Sequence, residues 1–229
     1  MDPTRATPFR PTGTVYGTLL NFRREHALWA ARMVQPPYQA PPRAPVLYVK
    51  TANTFTPAGG AIALPDGAPV EVAASLGLVL GGPDDLLPTG GTPGVAGVVL
   101  LNDVSAAHES YFRPPVKTRC VDGFLGLGPD CVPLARLGGL AGLHGLRLQL
   151  TLNGVPQHTT VLSDLVRDAA TLLAEVNAFM GLRSGDMLML GTDCLDDGSR
   201  PRVQPGDVVA ISAEGFAPAV HRFVAEALP

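Results

Sequence analysis

The sequence predicts a mixed, β-rich α+β fold, and three observations carry that prediction. Short apolar runs rich in β-branched and aromatic residues recur along the chain, each bounded by Gly, Pro, Asn or Asp. Only two stretches have a helical composition. Strands and helices do not alternate regularly, which argues against a doubly wound parallel sheet. The 26 glycines and 23 prolines are scattered between apolar runs, so the 229-residue chain reads as loop-rich and folded. It divides into a loose, polar, proline-bearing arm at 1–12 and one domain at 13–229.

In chain order, TVYGTLL at 14–20 is a strand and RREHALWAARM at 23–33 a short helix, stopped by the prolines of PPYQAPPRAP. VLYVK at 46–50 is a strand. EVAASLGLVLG at 71–81 is another, and GGPDDLLPTGGTPG at 81–94 is a breaker-rich loop. GVVLLNDVS at 97–105 reads as a buried strand, and the block 114–131 as irregular. RLQLTLNGVPQHTTVL gives a hairpin turning at Asn153–Gly154. The longer helix is placed at 163–180, with Ser163 as its N-cap and Gly181 at its close. MLMLG at 187–191 and VVAIS at 208–212 each follow a turn, RSGD or QPGD, which predicts two strands entering one sheet system from similar corners.

The strand at 71–81 has unequal faces. Period-two alternation puts Val72, Ala74, Leu76, Leu78 and Leu80 on one side, an ordinary core face. Glu71, Ala73, Ser75, Gly77 and Val79 take the other, which is nearly bare at its centre. Either backbone packs closely there or the small residues line a space.

A formal net charge of −3 argues against a nucleic-acid surface, and Arg23–Arg24 is only a local pair. Charged residues make up 16% of the chain and hydrophobic ones 46%, which tilts towards an oligomer. Cys120, Cys131 and Cys194 fall in no CxxC pair, as expected of free thiols in a reducing compartment. The N-terminus has no apolar signal core, and no apolar run approaches the roughly 20 residues of a membrane span. A cytoplasmic protein that contacts neither membrane nor nucleic acid is expected.

With so few charges, those at strand ends and turns stand out: Glu25 and His26, Lys50, Asp103, His108 and Glu109, Lys117, Arg119 and Asp122, and Thr192 with them. No GxSxG, HExxH, P-loop or GxGxxG motif is present, so serine-hydrolase, zincin and nucleotide readings lose their usual support. In KTRCVDG, Lys117, Arg119 and Asp122 cluster within the irregular block.

The ordered series NF at 21–22, VLYVKTANTF at 46–55, LVLG at 78–81, LLNDVS at 100–105, KTRCVDGFLGLGP at 117–129, LNG at 152–154, LRSGDMLMLGT at 182–192 and QPGDVVAISAEGF at 204–216 resembles the fumarylacetoacetate hydrolase family. QPPYQAPP at 35–42, ESYFRPPVK at 109–117 and DGF at 122–124 are similar to its isomerase/decarboxylase branch, in the N-terminal half or a separate N-terminal subunit. That branch decarboxylates 5-carboxymethyl-2-oxo-hex-3-ene-1,7-dioate and isomerises 2-hydroxyhepta-2,4-diene-1,7-dioate in 4-hydroxyphenylacetate degradation. The resemblance implies a rolled β-sheet fold with one long helix, a cytosolic homo- or hetero-oligomer with a sister subunit, and a 2-oxo dicarboxylic or tricarboxylic acid substrate.

It also implies Mg²⁺ or Mn²⁺, held by an E-x-E pair and a later aspartate. Here the pair aligns with Ala73 and Ser75, and only Asp103 keeps its place, so no metal is expected at this site. Glu71 faces the same side but lies about 7 Å from position 73. Arg119 stands where the family has a lysine, and Asp193 where a proline follows the substrate-contacting Gly-Thr. Lys50, Lys117 and Arg119 are expected to contact substrate carboxylates, Thr192 to donate a hydrogen bond, and Asp103 and Asp122 to complete the binding set; no residue is assigned to proton transfer. The alternatives are a catalytically silent partner of a metal-competent sister subunit and a small dicarboxylic-acid-binding protein.

Overall fold

The computed structural model describes residues 9–81, 94–108, 110–112 and 114–226. Most of the loop expected at 81–94 and of the arm expected at 1–12 lies outside these residues. Residues at the arm's end are tied in: the Phe9 N–H donates to the Pro129 carbonyl at 3.3 Å, and Gly13 N–H to that of Gly185 at 2.9 Å.

Among the described residues, two sheets enclose the main core. The larger has nine strands in the order β2 (Val46–Lys50), β1 (Val15–Leu19), β11 (Met187–Met189), β5 (Val70–Leu80), β6 (Val95–Ala106), β7 (Leu125–Leu127) and β3 (Phe55–Thr56). Beside this path, β12 (Arg202–Val203) pairs with β5, and β8 (Val132–Pro133) with β6. The smaller sheet runs β10 (Val155–Val161), β9 (Arg147–Leu152), β13 (Val208–Ser212), β14 (Ala219–Ala225) and β4 (Ala61–Leu64). The helices are few: α1 (Arg23–Met33), α2 (Val116–Arg119), α3 (Gly139–Gly142) and α4 (Ala169–Asn177).

The long antiparallel pair β5–β6 is the spine, and it sets the register of the site. Ala73 lies opposite Asp103, Ser75 opposite Leu101 and Glu71 opposite Ser105. Val72, Ala74, Leu76, Leu78 and Leu80 face the main core, where they join Leu148, Leu150, Val209, Ile211 and Phe223 of the smaller sheet and Leu172, Leu173 and Val176 of α4. Each of the Val, Leu, Ile and Phe side chains among them stabilises the fold by roughly 1.5–3 kcal/mol when fully buried.

On the bare face, close packing accounts for Gly77. A Cβ there would sit 2.6 Å from Met187 Sδ and 2.9 Å from Leu101 Cδ1, so only glycine lets β11 approach. Ala73 and Ser75, further along, belong to a polar site.

Three sequence expectations are corrected. The helix placed at 163–180 starts at Ala169, because Asn21 and Phe22 hold the preceding residues extended. Leu165 bridges to Phe22, the Val166 N–H donates to the Asn21 carbonyl, and Arg167 N–H donates to Asn21 Oδ1. Asp168, not Ser163, is therefore the N-cap, its carboxylate accepting from the Thr171 N–H at 2.8 Å. The RSGD and QPGD turns do share their chemistry: Asp186 accepts from the Arg183 N–H and Asp207 from the Gln204 N–H, both at 2.8 Å. Yet they feed different sheets, β11 in the larger and β13 in the smaller. The block 114–131, read as irregular, contains α2 and β7.

Replacing the cap, Asp168→Ala, is expected to lower stability by about 1 kcal/mol. Urea denaturation at neutral pH measures it, and an unchanged midpoint would show that α4 does not rely on this cap.

Candidate functional site

Asp103, on β6, is the centre of a buried ion cluster. Lys50 arrives from the end of β2, and its Nζ lies 2.8 Å from Asp103 Oδ1. Its hydrogen bonds go elsewhere, to the carbonyls of Val104 at 2.8 Å, Arg119 at 3.0 Å and Phe124 at 2.7 Å. Those three acceptors use all three ammonium protons, so Oδ1 gains a charge contact but no hydrogen-bond donor. Asp103 Oδ2 accepts from Arg119 Nη1 at 2.9 Å and from the Tyr48 hydroxyl at 2.5 Å. The Arg119 guanidinium also lies over the Tyr48 ring, 4.4 Å from its centroid.

Burial pushes the Asp103 carboxyl up, but the charges of Lys50 and Arg119 outweigh it and hold it below its usual range. Burial lowers Lys50 despite Asp103. For Arg119, the pull of Tyr48 and Asp103 overcomes burial and raises it. Burial, reinforced by Asp103, raises the Tyr48 phenol well above its ordinary value.

A second buried cluster adjoins the first. Glu25 of α1 accepts from Arg200 Nη2 at 2.5 Å and from the Tyr111 hydroxyl at 2.7 Å, and Arg200 Nη2 also donates to Thr192 Oγ1 at 3.1 Å. Arg202 pairs with Glu71 in the β12–β5 register, and the Val72 N–H donates to the Pro201 carbonyl. Antiparallel pairing therefore brings Arg200 level with Ala73. Arg200 also borders a cleft of 660 Å³, together with Trp29, Glu71, His108, Tyr111 and Arg202. Beyond Thr192, Asp193 lies 3.8 Å from Arg24 and 3.5 Å from His158. Burial raises the Asp193 carboxyl and lowers the His158 imidazole.

The residues expected from sequence thus separate. Lys50, Asp103 and Arg119 meet, with Thr192 in the neighbouring cluster. Lys117 is exposed on α2, and Asp122 is exposed and accepts from Asn53 Nδ2 at 2.5 Å. Glu109 lies outside the described residues. Sequence reasoning missed Arg200, Tyr48 and Tyr111; the one available signal was the charged run DDGSRPRV in a chain otherwise poor in charge.

These side chains do not fit a hard divalent cation, which needs about six oxygen ligands, carboxylates among them. Ala73 offers no oxygen, and Ser75 Oγ donates to the Gly191 carbonyl at 2.7 Å. Asp103 Oδ2 already accepts twice, and two cations flank the carboxylate. Glu71 leans 3.7 Å from Arg202 instead.

The family model for the fumarylacetoacetate (FAA) hydrolase C-terminal domain matches residues 14–224. Over 215 residues the chain is 34% identical to the 4-hydroxyphenylacetate degradation bifunctional isomerase/decarboxylase of Escherichia coli, covering 93% of this chain and 48% of that one. The chain spans about half the length of the curated relatives it matches. Among solved structures, the 5-carboxymethyl-2-hydroxymuconate delta-isomerase of Mycobacterium smegmatis gives a TM-score of 0.71 at 24% identity, over 93% of this chain and 77% of that one. The fumarylpyruvate hydrolase of Pseudomonas aeruginosa, solved with Mn²⁺ and pyruvate, gives 0.72 at 19% identity, over 99% and 94%. Likeness at these identities shows the fold.

Neutralising the central carboxylate, Asp103→Asn, leaves Lys50 and Arg119 buried without their counter-charge and is expected to cost about 3 kcal/mol at pH 7. Because the folded carboxyl is held low, its stabilisation is complete above the ordinary carboxylate value and fades as pH falls through the lowered one. The variant's stability should therefore fall less steeply with acid than the wild type's. Denaturation at several pH values checks both, and parallel curves would show that Asp103 does not carry this charge.

Proposed function

The chain belongs to the fumarylacetoacetate hydrolase family, and from that premise we propose that it is the N-terminal half or subunit of a 2-hydroxyhepta-2,4-diene-1,7-dioate isomerase/5-carboxymethyl-2-oxo-hex-3-ene-1,7-dioate decarboxylase in 4-hydroxyphenylacetate catabolism. It would act in the cytoplasm, within an oligomer that includes a sister subunit. In this reading the metal site is degenerate, two of its three carboxylate positions being Ala73 and Ser75. The identity to the Escherichia coli bifunctional isomerase/decarboxylase, spread over 93% of this chain but 48% of that protein, supports a half-length role. The observation that carries the degenerate site is Asp103, opposite Ala73, with both oxygens facing protein cations.

Loss of CO₂ from a 2-oxo acid leaves electrons to be held on the 2-oxo oxygen, and pre-placed positive charge lowers that barrier. Arg200, with Arg32 and Arg202, borders the cleft and is a cation that a substrate oxygen could meet there. Lys50 is not, since its three protons are committed to carbonyls. Shifting the double bond requires a proton to move at carbon.

That commitment of Lys50, with the double acceptance at Asp103 Oδ2, favours a second reading. Lys50 has no uncommitted N–H and Asp103 is held ionised between two cations, which suits a chain that binds and stabilises while a sister subunit performs the chemistry. The small dicarboxylic-acid-binding protein is the same pocket without a partner.

Decarboxylation by the chain alone, with Mg²⁺, and with a sister protein carrying an intact E-x-E pair separates these readings. The lone chain is expected to be inactive with or without Mg²⁺, and the mixture to exceed the sister alone. Turnover by the lone chain in the presence of a chelator would overturn the silent-partner reading; no association with the sister would overturn the subunit role. In a Mn²⁺ titration followed by electron paramagnetic resonance, the wild type should leave the ion free, whereas Ala73→Glu with Ser75→Glu should bind it. Identical titrations would show that the positions are misaligned.

A further inference from the structure

His221, on β14 of the smaller sheet, is an imidazole sealed between the two sheets. It is 0% exposed, and its ring lies against Gly126 of β7 in the larger sheet. A Cβ at position 126 would sit 2.6 Å from the ring's Cε1 and 2.7 Å from its Nδ1, so glycine is what admits the ring. The carbonyls of Thr56, Leu127 and Pro57 approach it. Neither ring nitrogen meets a partner in hydrogen-bonding geometry among the described residues.

No charge is placed to meet an imidazolium here. The strands β4, β7 and β13, which contact β14, contain no titratable side chain, and neither does β3, which brings the Thr56 carbonyl. On β6, Asp103 is turned to Lys50 and Arg119, and Asn102, the partner of Gly126 in the β6–β7 register, is neutral. Asp207, next to β13, gives its carboxylate to Asn153 and the Gln204 N–H. On β14 itself, Arg222 is exposed. Burial outweighs the nearby carbonyls and pushes His221 down to about 4.

We infer that His221 is an acid-sensitive lock between the sheets. Neutral, it seats on Gly126 and holds β14 against β7. Protonated, it has no counter-charge and turns out to water, which parts the sheets at this point. The ion cluster hangs on the same strand: Leu125 lies opposite Asp103, and the Phe124 carbonyl just before it accepts from Lys50. Opening the lock loosens the Asp103 cluster, whatever reaction the chain serves. Because folding holds the imidazole neutral, its stabilisation is whole above the ordinary value of 6.5 and is lost as pH falls towards 4. Asp103, held below the usual carboxylate range, gives way only in stronger acid.

Urea denaturation and native-state hydrogen exchange at pH 7 and pH 5, on the wild type and His221→Phe, test this. Phenylalanine keeps a flat ring on Gly126 but takes no proton. His108 and His158, which burial also lowers, are the same in both proteins, so the difference isolates His221. Between the two pH values the wild type's folding constant is expected to fall roughly twentyfold more than the variant's. Equal falls would overturn the lock. The Gly128 and Val104 amides, which donate to the Leu100 and Phe124 carbonyls, should lose protection in the wild type over the same interval. Protection that holds there at pH 5 would overturn the link to the Asp103 cluster. Should His221→Phe fail to fold, NMR of the wild type decides instead. The His221 ring, identified by its contacts with Gly126, must keep its neutral chemical shifts at pH 5, and a ring charged at that pH in the folded protein would end the proposal.

Discussion

The ion cluster around Asp103 is what the polar half of the molecule depends on. One carboxylate joins three elements distant in sequence: β6 through its own backbone, β2 through Lys50 and Tyr48, and α2 through Arg119. Lys50 extends the tie by capping the carbonyls of Val104, Arg119 and Phe124. A single ammonium thus fastens both ends of the 119–124 turn to the sheet. In a low-dielectric interior such a network is strong when satisfied and costly when any member is lost, so it acts as a unit.

Much of the fold is legible in the sequence because its strands obey a period of two against a single large core. The inward face of β5 follows directly from that alternation, as do β1, β2 and β6. The nearness of Asp103 to Arg119 was half visible, since both border one buried strand and charges are few. Arg200 was not visible. Its position depends on β12, two residues long, pairing with the far end of β5, and no local pattern of two residues specifies a register. The start of α4 was obscured for a related reason. Residues 165–167 have helical neighbours on one side, but Asn21 and Phe22, more than 140 positions away, take their backbone hydrogen bonds.

The small residues of β5 also divide by cause once the register is known. Gly77 is small because Met187 and Leu101 leave no room. Ala73 and Ser75 are small beside polar groups: Ala73 faces Asp103 across the ladder and is level with Arg200 on the other side, and Ser75 spends its hydroxyl on the Gly191 carbonyl. Sequence alone presents these three residues as one bare surface. In the fold, the first serves packing and the other two lie where family resemblance puts metal-binding carboxylates.

A chain kept only for its shape has no physical reason to bury five charges. Replacing such a cluster with apolar residues of similar volume is often neutral or stabilising by about 1–4 kcal/mol. Packing alone would therefore favour its removal. Here the charges are kept, and Arg200 borders the cleft together with Arg202 and Glu71. The electrostatics therefore fit a polar site kept beside the cleft, not an apolar scaffold alone.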